Sequence, residues 1–252
     1  MPIFIVVVFL SAFLLFQVQP VIARYILPWY GGSPAVWTTC LLFFQVGLLG
    51  GYAYAHGLVT FLREKRKWQV GIHLTLIGIA FLLLPITPSD DLKPDASVEN
   101  PLGGIVALLA YTVGFPYLLL SASGPLLQHW FSEVFPGRSP YRLYALSNLG
   151  SLLGLLTYPF LFEPLLKIHQ QTNLWSVAFA FYGMFAILAA VVFWRRASSE
   201  KSFSPDSSAA VPVSRLNVLI WIAFSACGSM LLLSLTNQMC QDVAVVPFLG
   251  SS

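Results

Sequence analysis

The residues of this chain that can do chemistry are polar side chains set inside or at the ends of long apolar runs. Gln17 and Gln19 stand just before Pro20, and Gln45 and His56 lie in the following run. Ser121 and Ser123 precede Gly124-Pro125, and Asn148 sits among small residues. Asn237 falls in a polar stretch, residues 236–242, where Asp242 is the sole acid. Polar groups are costly in hydrocarbon, so such residues turn toward neighbouring helices or a water-filled cavity. Amides and hydroxyls of this kind bind by hydrogen bonding; they are not a covalent catalytic set. Proline frees a carbonyl one turn earlier, which an amide can satisfy, so Gln17 and Gln19 read either as that local repair or as ligand contacts. Gly124-Pro125 reads as a helix end, with the alternative of a broken helix of the kind that lines solute sites. Asn148 reads as an interhelical donor. Asn237 and Asp242 cap the last helix or line a vestibule. His73 and His129 read as lying near a membrane surface, without a special role.

Other chemistry is not expected. No His, Cys, Asp or Glu spacing matches a metal site. Phosphate-binding glycine loops and nucleophile elbows are missing from the sequence. No cofactor follows. Cys40, Cys227 and Cys240 are odd in number and read as buried free thiols, although Cys40 and Cys240 lie toward one side and could pair.

The elements that must hold these residues are membrane helices. Of the 252 residues, 57% are hydrophobic and only 9% charged, against roughly 25% charged in a soluble domain. That excludes a soluble enzyme, a disordered tail and a disulfide-stapled domain. A span needs about 20 apolar residues. Residues 1–22, 34–62, 68–87, 101–123, 141–163, 173–194 and 216–236 supply seven. Residues 126–135 read as an interfacial helix or a continuation of the fourth span. Gly47 and Gly51, like Gly150 and Gly154, are spaced for close helix approach. The expected organisation is a six-span bundle over 1–194, a Ser-rich cytoplasmic linker over 195–215, and a seventh span with an outer tail over 216–252. The fold class is all-α, a polytopic transmembrane bundle.

Alternating the spans places ten of the 13 Lys and Arg on one side, leaving Arg24, Lys93 and Lys167 on the other. That bias puts the N-terminus in the cytoplasm and the tail outside. The bilayer is therefore the first partner. The formal charge of +3 does not imply a nucleic-acid partner, because the basic residues are loop residues that set orientation.

Several stretches look familiar together: SAFLLFQVQP at 11–20, LPWYGGSPAVW at 27–37, FFQ at 43–45, GYAYAH at 51–56, SPYRLYALSN at 139–148, YPFLFEP at 158–164 and TNQMCQDVAVVPF at 236–248. The chain resembles the membrane portion of bacterial fused transporter-like/spermidine-synthase-like proteins. The resemblance implies a bundle similar to the first part of a major-facilitator-like fold in a bacterial cytoplasmic membrane. In that family further spans and a soluble aminopropyltransferase-like domain follow, so a truncated chain is expected, with a missing C-terminal half or a separate partner chain. None of that domain's motifs is here, so no catalytic residue carries over and the chain alone is not expected to be an enzyme. Ser-Ala recurs at Ser11-Ala12, Ser121-Ala122 and Ser225-Ala226, in the three spans that line the cavity of facilitator-like folds. The functional expectation is a non-catalytic membrane domain that anchors or assembles with a partner. The alternative is a transporter-like protein for a small solute such as an amine or polyamine, although the spans hold almost no carboxylates to meet a cation.

Overall fold

A computed structural model describes residues 1–89, 92–93, 101–199 and 214–242, excluding the side chains of residues 101, 197–199 and 240–242. The described residues are helical, with no strand among them. Seven rods follow in order: α1 (Pro2–Tyr30), α2 (Pro34–Phe61), α3 (Arg66–Leu82), α4 (Leu102–Val134), α5 (Tyr141–Leu165), α6 (Ile168–Ser199) and α7 (Arg215–Asp242). All but α3 are long and apolar enough to cross a membrane. The chain is built as an integral membrane protein. Hydrocarbon offers no partner for peptide groups, so an apolar segment must satisfy its own backbone, and the helix does so.

The boundaries differ from expectation in instructive ways. Helix α1 continues through Pro20, Arg24 and Pro28 and ends only at Gly31, whose φ of 81° suits a residue without a Cβ. Ser33 then caps α2, accepting from the Val36 N–H at 3.4 Å, with Pro34 in the first turn. Helix α3 stops at Leu82, short of the expected 87, because Pro85 cannot donate and disfavours helix in the residue before it. The chain beyond is strapped to α6: the Ile86 N–H donates to Ser176 Oγ at 3.3 Å, and the Thr87 and Thr172 hydroxyls bond at 2.6 Å.

Gly124-Pro125 does not end a helix. Helix α4 runs straight past it, and Leu126, Leu127, Trp130 and Phe131 are buried in the bundle instead of lying on a membrane surface. Two π-turns, Ala110–Gly114 in α4 and Tyr158–Phe162 in α5, sit beside Pro116 and Pro159. Widening the turn accommodates carbonyls that a proline leaves without a donor. Helix α6 carries on through Arg195 to Ser199, and residues 200–213 lie outside the described set. So does most of the acidic loop, including Asp90, Asp91, Asp95 and Glu99.

Helices α1 and α4 form the centre. Helix α1 packs most extensively on α5 and then on α6 and α4, while α2 lies along α4. The glycine pairs make these approaches close, as their spacing suggests. A Cβ on Gly150 or Gly154 would stand 2.7 Å from the Phe9 carbonyl or 2.6 Å from the Phe13 carbonyl of α1. A Cβ on Gly51 would overlap Ser121 and the α4 backbone. Helix α7 is set apart: its apolar window is wholly unburied, and it touches the bundle along α2.

Neighbouring helices alternate in direction. At one end Arg138 meets Met1, Arg196 meets Val134, and Arg66 meets Glu133. At the other, Arg24 Nη1 donates to the Glu163 carbonyl at 3.3 Å and Tyr25 bonds His169 at 3.2 Å. The described Lys and Arg residues fall at these ends with the predicted asymmetry.

Candidate functional site: a neutral cleft among four helices

The tight pairs α1/α5 and α2/α4 leave a cleft between them of about 400 Å³, within the range of small-ligand sites. Ser11, Leu15 and Phe16 of α1 and Ser121 and Gln128 of α4 form its back. Leu48 and Tyr52 of α2 face Tyr144, Ser147, Asn148 and Ser151 of α5. Tyr52 and Tyr144 are 50% and 59% exposed, which makes them the rim. Beside the cleft, the Tyr117 ring of α4 packs against Gly47 and Phe44 of α2. Toward the basic end the lining continues to Gln128 and Tyr144, within about two turns of where α4 ends and α5 begins.

Hydroxyls, two amides and two phenols line the cleft, and no Asp, Glu, Lys, Arg or His does. Such a surface can donate and accept hydrogen bonds and offer aromatic faces, but it supplies no fixed counter-charge. Ser121 donates to the Tyr117 carbonyl at 2.8 Å and Ser151 to the Ser147 carbonyl at 3.0 Å. Their oxygens retain acceptor capacity toward the cleft.

Of the residues singled out by sequence, Asn148, Ser121 and the Gly124-Pro125 pair line the cleft, and Asn148 is exposed there instead of bonding across helices. Gln19 is half-buried on α1, outside the lining. Gln17 is 2% exposed and faces away, with its Nε2 lacking a hydrogen-bond partner, so it does not repair the carbonyl freed by Pro20. Ser123 lies behind the wall, buried and bonded to Tyr182. Gln45 is half-buried on α2 and His56 exposed beyond it. Asn237 is exposed on α7, where residues 236–242 simply continue the helix; Asp242 is its last residue, and the Asp242 side chain lies outside the described set. Two Ser-Ala pairs do meet the cleft, through Ser11, Ala12 and Ser121, whereas Ser225 stays on α7. Cys40 is a buried free thiol; Cys227 is free but exposed, and the Cys240 side chain is outside the described set.

Sequence reasoning missed a buried polar layer behind the cleft. His73 is 2% exposed, bonded to Tyr54 at 3.3 Å, and edge-on to Trp130 with centroids 5.8 Å apart. Trp130 Nε1 donates to Gln69 Oε1 at 3.2 Å, and Gln69 Nε2 donates to the Leu62 carbonyl at 2.9 Å. The available signal was period: Gln69 and His73 are four apart on α3, one face of a helix. Near the basic end, Arg66 Nε lies 2.9 Å from Glu133 Oε2, and His129 Nε2 lies 3.2 Å from Oε1. The geometry there is that of ion contacts and not of aligned hydrogen bonds. No group of three or more potential metal ligands occurs among the described residues.

Set beside known family models, curated proteins and solved structures, the chain matches none of them.

Proposed function

We propose that the chain is a transporter-like membrane protein, a unit similar to the first part of a major-facilitator-like fold, that binds a small, uncharged polar solute in the α1/α2/α4/α5 cleft. The observation that carries this reading is the cleft's lining of hydroxyls, amides and phenols without a carboxylate. A polyamine would enter as a polycation with nothing to neutralise it, so its desolvation would go uncompensated. A neutral solute pays no such penalty. The ten-to-three distribution of basic residues supports a cytoplasmic basic end, with the cleft approached from that side of a bacterial cytoplasmic membrane.

The test is a thermal-shift panel on the detergent-purified chain with neutral sugars and polyols, zwitterionic amino acids and polyamines, followed by uptake into proteoliposomes. A neutral polar compound should raise the melting temperature in the native chain and not in Asn148→Leu, which puts an apolar side chain at the lining. Stabilisation by polyamines alone would reject the reading.

A second reading is favoured by α7, which packs against α2 and leaves its apolar window unburied. In it the chain is the non-catalytic membrane domain of a spermidine-synthase-like protein, and further helices, from its own continuation or a partner, pack on α7. A photo-crosslinker replacing Trp221, which is 59% exposed, distinguishes the two. Adducts with protein in native membranes support the assembly; adducts with lipid alone refute it.

A further inference from the structure

The cleft does not account for the cluster where α4 ends, α5 begins and α6 ends. Phe135 closes α4. Gly137, with φ of 83°, turns the chain back, and the Arg138 N–H donates to the Phe135 carbonyl at 3.1 Å. That reversal carries the Arg138 guanidinium to 5.8 Å from the centre of the Phe135 ring. Arg196, from α6, comes to 5.3 Å from the same ring and donates from Nη1 to the Val134 carbonyl at 3.0 Å. Arg138 Nη1 donates to Met1 Sδ at 2.9 Å. A guanidinium has five N–H donors, so most of both forks stay uncommitted.

Two like charges on one ring repel, and no carboxylate among the described residues answers them. The nearby carboxylate, Glu133, is engaged by Arg66 and lies against His129. The positive field is felt at the Met1 α-amino group, whose pKa is held below its ordinary value by partial desolvation and by Arg138 and Arg196. Depth supplies the remaining argument. Val134 is the last residue of α4, and Arg196 follows closely on the apolar run of α6 that ends at Trp194, so both guanidinium groups stand where lipid headgroups begin. Exposed Trp68 and Tyr141 mark the same end.

We propose that Arg138 and Arg196, held over Phe135, bind the phosphate group of an anionic phospholipid. Paired guanidinium forks match phosphate oxygens in number and direction. Stacking on Phe135 and the two anchoring bonds hold the forks in place before the lipid arrives, which lowers the ordering cost of binding.

Native mass spectrometry of the full chain, titrated in detergent with phosphatidylglycerol, phosphatidylcholine or inorganic phosphate, reads the site directly. The native chain should retain phosphatidylglycerol in preference to phosphatidylcholine, and inorganic phosphate at equal concentration should not displace it. Arg138→Gln with Arg196→Gln should weaken retention about tenfold, the loss of one charge-assisted contact or more. Arg63→Gln with Arg195→Gln removes the same charge nearby and should change it by less than about twofold, as a diffuse surface charge does. If the first pair does not fold, Arg138→Lys with Arg196→Lys keeps the charge and loses the fork, and should still bind less tightly than the native chain. Equal loss in both glutamine pairs, unchanged retention in the lysine pair, or full displacement by inorganic phosphate would overturn the proposal.

Discussion

Ser123 spends its one proton on the Leu119 carbonyl at 2.8 Å, so Tyr182 must be the donor in the 2.5 Å bond that joins α6 to α4. Tyr182→Phe keeps the ring and deletes that donor. It should cost about 0.5–1.5 kcal/mol, read as a lower melting temperature in detergent with unchanged helicity; no shift would mean that the hydroxyl adds nothing. Gln17 makes the opposite case. Its Nε2 is buried and unpartnered, and a group in that state carries a desolvation penalty of about 1–3 kcal/mol. Gln17→Met has similar volume and removes the orphan, so the variant should melt no lower than the native chain. A clear destabilisation would reveal a partner. Gln17 and Ser123 were both legible in the sequence as polar residues in apolar runs. Their partners were not: Tyr182 lies 59 residues from Ser123, and no local pattern encodes that distance.

At the scale of elements, glycine spacing was readable and its consequence is geometric. Gly154 lets the α5 backbone meet the Phe13 carbonyl of α1, whereas Gly228 on α7 has open space around it. Gly154→Val should prise α1 from α5 and cost several kcal/mol, as overpacking does at about 1–3 kcal/mol or more. Gly228→Ala should leave the melting temperature unchanged or raise it slightly, since alanine favours helix by about 1 kcal/mol. Equal effects at the two sites would contradict the packing. Proline and charge were poorer guides to where helices end. Pro20, Arg24, Pro28 and Pro125 all lie within helices, because a long apolar segment has no better way to satisfy its backbone than to stay helical around one missing donor. Pro85 and Pro136 do follow real stops, and after Pro85 Ser176 of α6 accepts the Ile86 N–H.

For the whole molecule, alternation of the helices places Lys65 and Lys167 at opposite ends of the bundle. Single cysteines at these positions, in a background lacking Cys40, Cys227 and Cys240, should react with a membrane-impermeant maleimide from opposite faces of sealed vesicles. Labelling from the same face would break the alternation. The basic end should be the cytoplasmic one, which the same experiment reads from inverted vesicles.

Composition and the length of apolar runs were sufficient to determine a helical membrane protein, the rough number of helices, their alternation and the basic end. Each of these follows from the cost of putting charge or unpaired backbone into hydrocarbon, and that cost is local and additive along the chain. The cleft was decided elsewhere. It exists because α1/α5 and α2/α4 pack tightly as pairs and loosely across, and its lining gathers Ser11, Tyr52, Ser121 and Asn148 from four separate helices. Which side of each helix faces the gap depends on contacts between residues far apart in sequence. In lipid an apolar side chain is equally content against a tail or a neighbour, so hydrophobic pattern does not reveal the inward face. The burial of His73, the isolation of Gln17 and the pairing of Arg138 with Arg196 over Phe135 all belong to that tertiary choice.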